Sequence, residues 1–184
     1  MTMDSRQAAA ALGEIEAVAR QVRQSRFYRV CSTMLVLWGA AVAAGYVVTF
    51  AAPAQARVAW VSVYAAGIAG TVVTAVRENR RAAAPGFDLR GLAAFVLLVA
   101  FGLLWTVGLV QMPPRLLDVF WPTYFMLVYA IAGLWLGIMF SLIGVVIATL
   151  SLAGYFWSGP WFELWMAAVN GGGLVLGGLW MRRN

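Results

Sequence analysis

The sequence predicts an all-α polytopic membrane protein, a bundle of six transmembrane helices with both termini in the cytoplasm. Three features predict it: the composition, the apolar stretches and the placement of arginine. The chain has 184 residues, of which 63% are hydrophobic and 11% charged, and its mean hydropathy is +0.83. A soluble domain needs more polar surface than this, whereas a bilayer removes that need. About 20 apolar residues in a helix cross the bilayer core.

Residues 1–29 are predicted to form a cytosolic amphipathic arm, because their apolar side chains recur at helical spacing. The apolar face consists of Ala8, Ala11, Leu12, Ile15, Val18, Ala19 and Val22. Four arginines, which are candidate contacts to lipid or to a partner, then lead to the membrane: Arg20, Arg23, Arg26 and Arg29. Two interpretations stay open, an anchor lying on anionic headgroups and a helix that docks a cytosolic or membrane protein.

The remaining chain, 30–184, is predicted to hold the six spans. The first three cover about 30–50, 58–76 and 89–110. Pro113 and Pro114 end the third, since proline cannot continue a helix. A basic loop separates the second span from the third, and its arginines are further candidate contacts to lipid or a partner: Arg77, Arg80 and Arg81.

Residues 119–157 carry no charge and have to be divided into two spans. One helix of this length would extend about 58 Å, nearly twice the apolar core. Spans over about 122–139 and 142–157 fit better, with Pro122 in the first helical turn and the reversal within 139–144. The sixth span is predicted over about 162–181.

The orientation follows from the thirteen basic residues, all of which are arginine. Six spans place the arginines of the arm, the basic loop and the C-terminal tail on one side, and only Arg57 and Arg115 on the other. The positive-inside rule then predicts cytoplasmic termini, in a bacterial inner membrane. A five-span chain would leave Arg182 and Arg183 outside. We therefore assign the net charge of +6 to loops and anionic headgroups and expect no nucleic-acid partner.

The composition also limits the chemistry. Histidine and lysine are absent, and Cys31 is the only cysteine. Histidine-ligated metals, Ser–His or Cys–His nucleophiles and Schiff bases are thereby excluded. We predict no enzymatic activity, no cofactor and no metal.

Two segments rich in small residues have alternative explanations. Asn170, Gly171, Gly172 and Gly173 lie within the sixth span. They predict either close helix packing or a broken helix whose exposed backbone binds an ion or a small substrate. Small residues also recur in the fourth and fifth spans, where packing between these helices competes with a homodimer seam. They are Gly133, Gly137, Ser141, Gly144, Ala148 and Ser151.

The outer side is rich in aromatic residues and holds two carboxylates. Asp118 and Glu163 lie at one predicted level, and Trp161 and Trp165 flank Glu163. An interfacial aromatic belt explains the tryptophans, and a site for a lipophilic cation is the alternative. Because both acids lie near the water boundary without other catalytic groups, we do not expect them to be catalytic.

One resemblance concerns the arm. The stretch 11–15, Ala-Leu-Gly-Glu-Ile, with Gln21-Val22 and 25–28, Ser-Arg-Phe-Tyr, resembles the leader of small uncharacterised bacterial multi-pass membrane proteins. The chain is also similar in size to substrate-binding subunits of vitamin-uptake transporters. We expect a non-enzymatic regulatory or scaffolding protein that acts through the arm and the basic loop. The alternative is a small transporter or transporter subunit.

Overall fold

The computed structural model describes residues 5–81 and 89–183, and all regular structure in these ranges is helical. The α-helices are α1 Ser5–Ala51, α2 Ala56–Arg81, α3 Leu89–Leu103, α4 Pro114–Leu136, α5 Ile138–Trp157, α6 Phe162–Met166 and α7 Gly173–Arg183. A π-helical segment, Leu104–Leu109, extends α3, and a second, Ala167–Gly172, joins α6 to α7. Short 3₁₀ helices, Pro53–Gln55 and Gly159–Trp161, precede α2 and α6.

Within the described ranges, five helical segments are long and apolar enough to cross a membrane. They are Tyr28–Ala51, Pro53–Arg77, Pro114–Leu136, Ile138–Trp157 and Gly159–Arg183. A sixth apolar segment, Ala93–Leu109, is shorter. These lengths and compositions fit an all-α membrane protein and confirm the predicted fold class at that level.

Helices α1, α4, α5 and α7 form the centre of the bundle. Leu35, Met126, Ile143 and Leu174, one from each helix, meet in a buried apolar cluster. Helix α2 packs on α1. Helix α3 contacts α4 through aromatic rings, with Trp121 lying over Gly102. The outer faces of α2 and α3 are apolar and exposed, as a bilayer requires.

The arm and the first span belong to one helix, because α1 extends over 47 residues. Its apolar part, Tyr28–Ala51, accounts for 24 of them, so 23 helical residues precede the span. These extend about 35 Å at the α-helical rise. No proline interrupts α1, and an uninterrupted helix bends only gently. The arm therefore continues the direction of the span.

The start of α4 and the reversal into α5 differ from the prediction, whereas α5 ends at Trp157 as predicted. Helix α4 begins at Pro114, where the missing N–H costs nothing, and Pro122 lies inside it. The reversal occurs at Gly137, before the predicted segment 139–144. Gly137 has φ +127° and ψ 147°, a conformation available essentially to glycine alone. A single residue therefore connects the two helices.

Candidate functional sites

The segment Asn170–Gly173 is helical throughout, with its first three residues in the π-helical segment, and a ligand site there stays a prediction. The Asn170 side chain is buried and its Nδ2 donates to the Ser151 hydroxyl at 3.0 Å. Ser151 in turn donates to the carbonyl oxygen of Ile147 at 2.7 Å. This network satisfies polar groups between α5 and the π-helical segment, as expected for helices packed in an apolar solvent.

The glycines of this segment have different surroundings. A Cβ on Gly171 would collide with the backbone of Ala43, and one on Gly39 would lie 2.7 Å from the Gly171 carbonyl oxygen. A Cβ on Gly173 would approach Ile147 to 3.0 Å, whereas one on Gly172 would meet nothing within 4 Å. Close packing between α1 and the π-helical segment thus explains Gly171, and Gly172 faces open space.

Gly133, Ser141 and Gly144 pack α4 against α5, but Gly137 forms the turn, and Ser141, predicted on the fourth span, belongs to α5. A Cβ on Gly133 would collide with Ser141, and one on Gly144 would lie 2.5 Å from the Met126 carbonyl oxygen. Ser141 donates to the carbonyl oxygen of Ala130 at 2.8 Å, which fixes the two helices side by side. Packing between these helices is confirmed.

Asp118, on α4, accepts a hydrogen bond from α1. Tyr46, which is 1% exposed, donates its hydroxyl to the Asp118 carbonyl oxygen at 2.8 Å. Glu163 lies in the first turn of α6. That Asp118 and Glu163 form one site stays a prediction.

The predicted tryptophans point elsewhere. Trp161 stacks on Phe50 of α1, with ring centroids 5.6 Å apart. Trp165 packs on Gly154 of α5 and donates to the Leu150 carbonyl oxygen at 2.8 Å. Neither contact closes an aromatic box around Glu163.

Other aromatic residues, which were not selected as site residues from the sequence, lie around Tyr46. Trp60 packs edge-on against Tyr46 at 4.9 Å and continues to Tyr64 at 5.8 Å. These contacts join α1 to α2. Because Trp60 and Tyr64 are four residues apart, the sequence predicts that they share one face of α2. The direction of that face depends on the packing of α2 against α1.

The candidate arginines are only partly described. Arg29, Arg77 and Arg80 are exposed, consistent with contact to headgroups or a partner. The side chains of the other four lie outside the described part of the structure: Arg20, Arg23, Arg26 and Arg81.

A polar cluster that the sequence analysis missed joins α1 to the end of α7. The Ser32 hydroxyl donates to the Gly178 carbonyl oxygen at 2.6 Å, and Arg182 Nε donates to Ser32 Oγ at 2.9 Å. An Arg182 terminal nitrogen also donates to Thr33 Oγ1 at 3.3 Å. The feature of the sequence that could have indicated this cluster is the pair of hydroxyl residues Ser32 and Thr33 at the start of an apolar span.

The fold and these sites define the chain as an all-helical protein with helices suited to a membrane. It matches no protein-family profile, no curated protein and no solved structure.

Proposed function

We propose that this is a non-enzymatic protein of the bacterial inner membrane that regulates or scaffolds a partner. The contact surface consists of the cytosolic arm, residues 5–27 of α1, together with the basic loop around Arg77 and Arg80. Six spans and cytoplasmic termini complete the proposal, with Leu89–Leu109 as the third span.

The observation that carries this proposal is the continuity of α1. An anchor helix on the membrane surface has to turn by about a right angle before it enters the bilayer, which needs a break in the helix. Helix α1 has none between Ser5 and Ala51. The amphipathic arm therefore extends about 35 Å beyond the span. At that position a helix of a partner protein can pack on its apolar face.

The arginine distribution supports the proposed orientation. Arg77 and Arg80 belong to the end of α2, and Arg182 and Arg183 to the end of α7. With six spans these ends share a side with the arm, and the positive-inside rule makes that side cytoplasmic. Cysteine substitutions in a Cys31→Ala chain test this orientation. An impermeant thiol reagent should label Arg57→Cys in intact cells and leave Gly13→Cys unlabelled; the reverse pattern would contradict it.

Photocrosslinking tests the partner role. A photoreactive residue at Gly13, which is exposed on the arm, should give a discrete protein adduct in native membranes. One at Arg80 should give an adduct with the same partner, and one at Arg57 should not. Deleting residues 5–23 should abolish the Arg80 adduct while the chain still inserts. An Arg80 adduct that survives the deletion, or no adduct at Gly13, would overturn the proposal.

Transport of a lipophilic cation is the second candidate function. The position of Asp118 against Tyr46, whose ring packs on Trp60, favours it, since carboxylates and aromatic faces both attract organic cations. The test is uptake of tetraphenylphosphonium by vesicles. Asp118→Asn with Glu163→Gln should abolish protein-dependent uptake, and unchanged uptake would rule out this site.

A further inference from the structure

Three arginines lie together where α1 and α7 meet at the end of the bundle. Arg29, Arg182 and Arg183 are all exposed. Arg29 lies one turn before Thr33 on the same face of α1, and the Thr33 hydroxyl donates to its carbonyl oxygen at 3.0 Å. Because Arg182 contacts the same Thr33, the three side chains start within about one helical turn of this residue.

The Arg182 guanidinium is fixed in position without losing its charge. Its two hydrogen bonds go to the neutral hydroxyl groups of Ser32 and Thr33. A guanidinium has five N–H donors, so most remain for another ligand. Among the side chains that the structure describes, no carboxylate is ion-paired with Arg182. Glu163 lies 19 residues earlier on the same helical segment, about 29 Å away along the axis.

An apolar surface leads away from these arginines toward the middle of the bundle. On α7, Leu176, Leu179 and Arg183 share one face at helical spacing, and the two leucines are 68% and 44% exposed. On α1, Thr33 and Ala40 share a face with Arg29. The small side chain of Ala40 leaves a shallow groove beside Leu176 and Leu179. A bilayer lipid could lay an acyl chain here with its headgroup at the arginines.

We propose that this end of the α1–α7 interface binds the headgroup phosphate of an anionic phospholipid. Arg182 is the positioned ligand, and Arg29 and Arg183 flank it. A guanidinium held by hydroxyl groups offers its remaining donors to phosphate in a fixed geometry, and such charge-assisted hydrogen bonds are strong. Basic sites between membrane helices on the cytoplasmic side select anionic headgroups in this way. The proposal rests on the membrane location and is independent of the partner role of the arm.

Native mass spectrometry of the full chain, titrated with phosphatidylglycerol or phosphatidylcholine, tests this site. The wild-type chain should bind phosphatidylglycerol and not phosphatidylcholine. Arg182→Ala and Arg183→Ala should each weaken binding about fivefold, the effect expected of one arginine near an anionic surface. Arg57→Ala removes the same charge from the other end of α2 and should leave this binding unchanged. An equal loss in Arg57→Ala would overturn the proposal, because it would show attraction without a site.

Two further variants separate binding from folding and lipid from free phosphate. Thr33→Val keeps every charge but releases one contact of Arg182, so it should weaken phosphatidylglycerol binding less than Arg182→Ala. If Arg182→Ala fails to fold, Arg183→Ala carries the test, since no hydrogen bond of Arg183 is found within the described residues. Inorganic phosphate in millimolar excess should not displace the lipid. Displacement would identify a free-anion site and contradict the proposal, as would full binding by Arg183→Ala.

Discussion

The Tyr46 hydroxyl replaces the hydrogen bond that Pro122 removes from the Asp118 carbonyl oxygen. In an α-helix this carbonyl would accept the N–H of residue 122, which proline lacks. Tyr46 reaches it from α1 at 2.8 Å and is itself buried. The proline inside α4 is therefore compensated by another helix, and the defect becomes a specific contact between α1 and α4.

Replacing Tyr46 with phenylalanine should destabilise the bundle by about 1–2 kcal/mol, because the Asp118 carbonyl loses its donor in an apolar environment. The measurement is the free energy of unfolding in mixed micelles. Tyr64→Phe is the matched control: it also removes one hydroxyl, from a side chain that is 47% exposed. Equal losses in the two variants would contradict a specific role for the Tyr46 hydroxyl.

Restoring the backbone donor should remove most of this effect. In a Pro122→Ala chain, residue 122 can donate to Asp118 itself. Tyr46→Phe should then cost less than half of what it costs in the wild-type chain. The double-mutant cycle measures this coupling directly. Additive losses would mean that the hydroxyl and the proline act independently.

The contact between Tyr46 and Asp118 also explains which part of the fold could not be predicted from the sequence. Composition and the lengths of apolar stretches predicted the helical class, and the third apolar helix, predicted over about 89–110, extends over Leu89–Leu109. The start of α4 was missed because the cost of Pro122 is offset by a residue 76 positions earlier in the chain. Such compensation leaves no local pattern in the sequence.

The candidate sites, like the fold, could be predicted from the sequence only in part. The sequence predicts that Asp118 and Glu163 lie at one level, and this stays a prediction. It could not give the direction of Trp161 or Trp165, because each points toward a different neighbouring helix. The cluster around Ser32 was missed because its other half, Arg182, is 150 residues away.

Gly171 and Gly172 should respond oppositely to alanine. Gly171→Ala forces a Cβ against Ala43 and should destabilise the bundle by about 1–3 kcal/mol, the usual cost of overpacking. Gly172→Ala adds a Cβ in open space and should be neutral or stabilising by up to about 1 kcal/mol, since alanine favours helix. Unfolding measurements on both variants test the packing explanation. A large loss in Gly172→Ala would instead support a functional backbone there.

Gly137→Ala should destabilise the turn between α4 and α5 by about 1–3 kcal/mol. The position has φ +127°, and an added Cβ would also collide with the Tyr28 hydroxyl, which donates to the Leu136 carbonyl oxygen. Gly159→Asn is the control, because φ +54° is accessible to asparagine and no atom lies within 4 Å. Thermal unfolding of both variants measures the difference; similar midpoints would contradict the strained turn.

Arg57 and Arg115 should differ in their importance for stability. Arg115 donates to the carbonyl oxygens of Gly159 at 3.2 Å and Tyr155 at 3.4 Å, and its guanidinium lies 5.0 Å from the Phe162 ring centroid. Arg57 has no such contact within the described ranges.

Arg115→Ala should therefore lower the free energy of unfolding by about 1–2 kcal/mol, through lost cation–π and hydrogen-bonding contacts. Arg57→Ala should change it by less than about 0.5 kcal/mol, as expected of an exposed position. Both substitutions remove one positive charge from the same predicted side, so any effect on orientation should be equal. Equal stability losses would show that charge, and not the contact with the α5–α6 turn, is what Arg115 contributes.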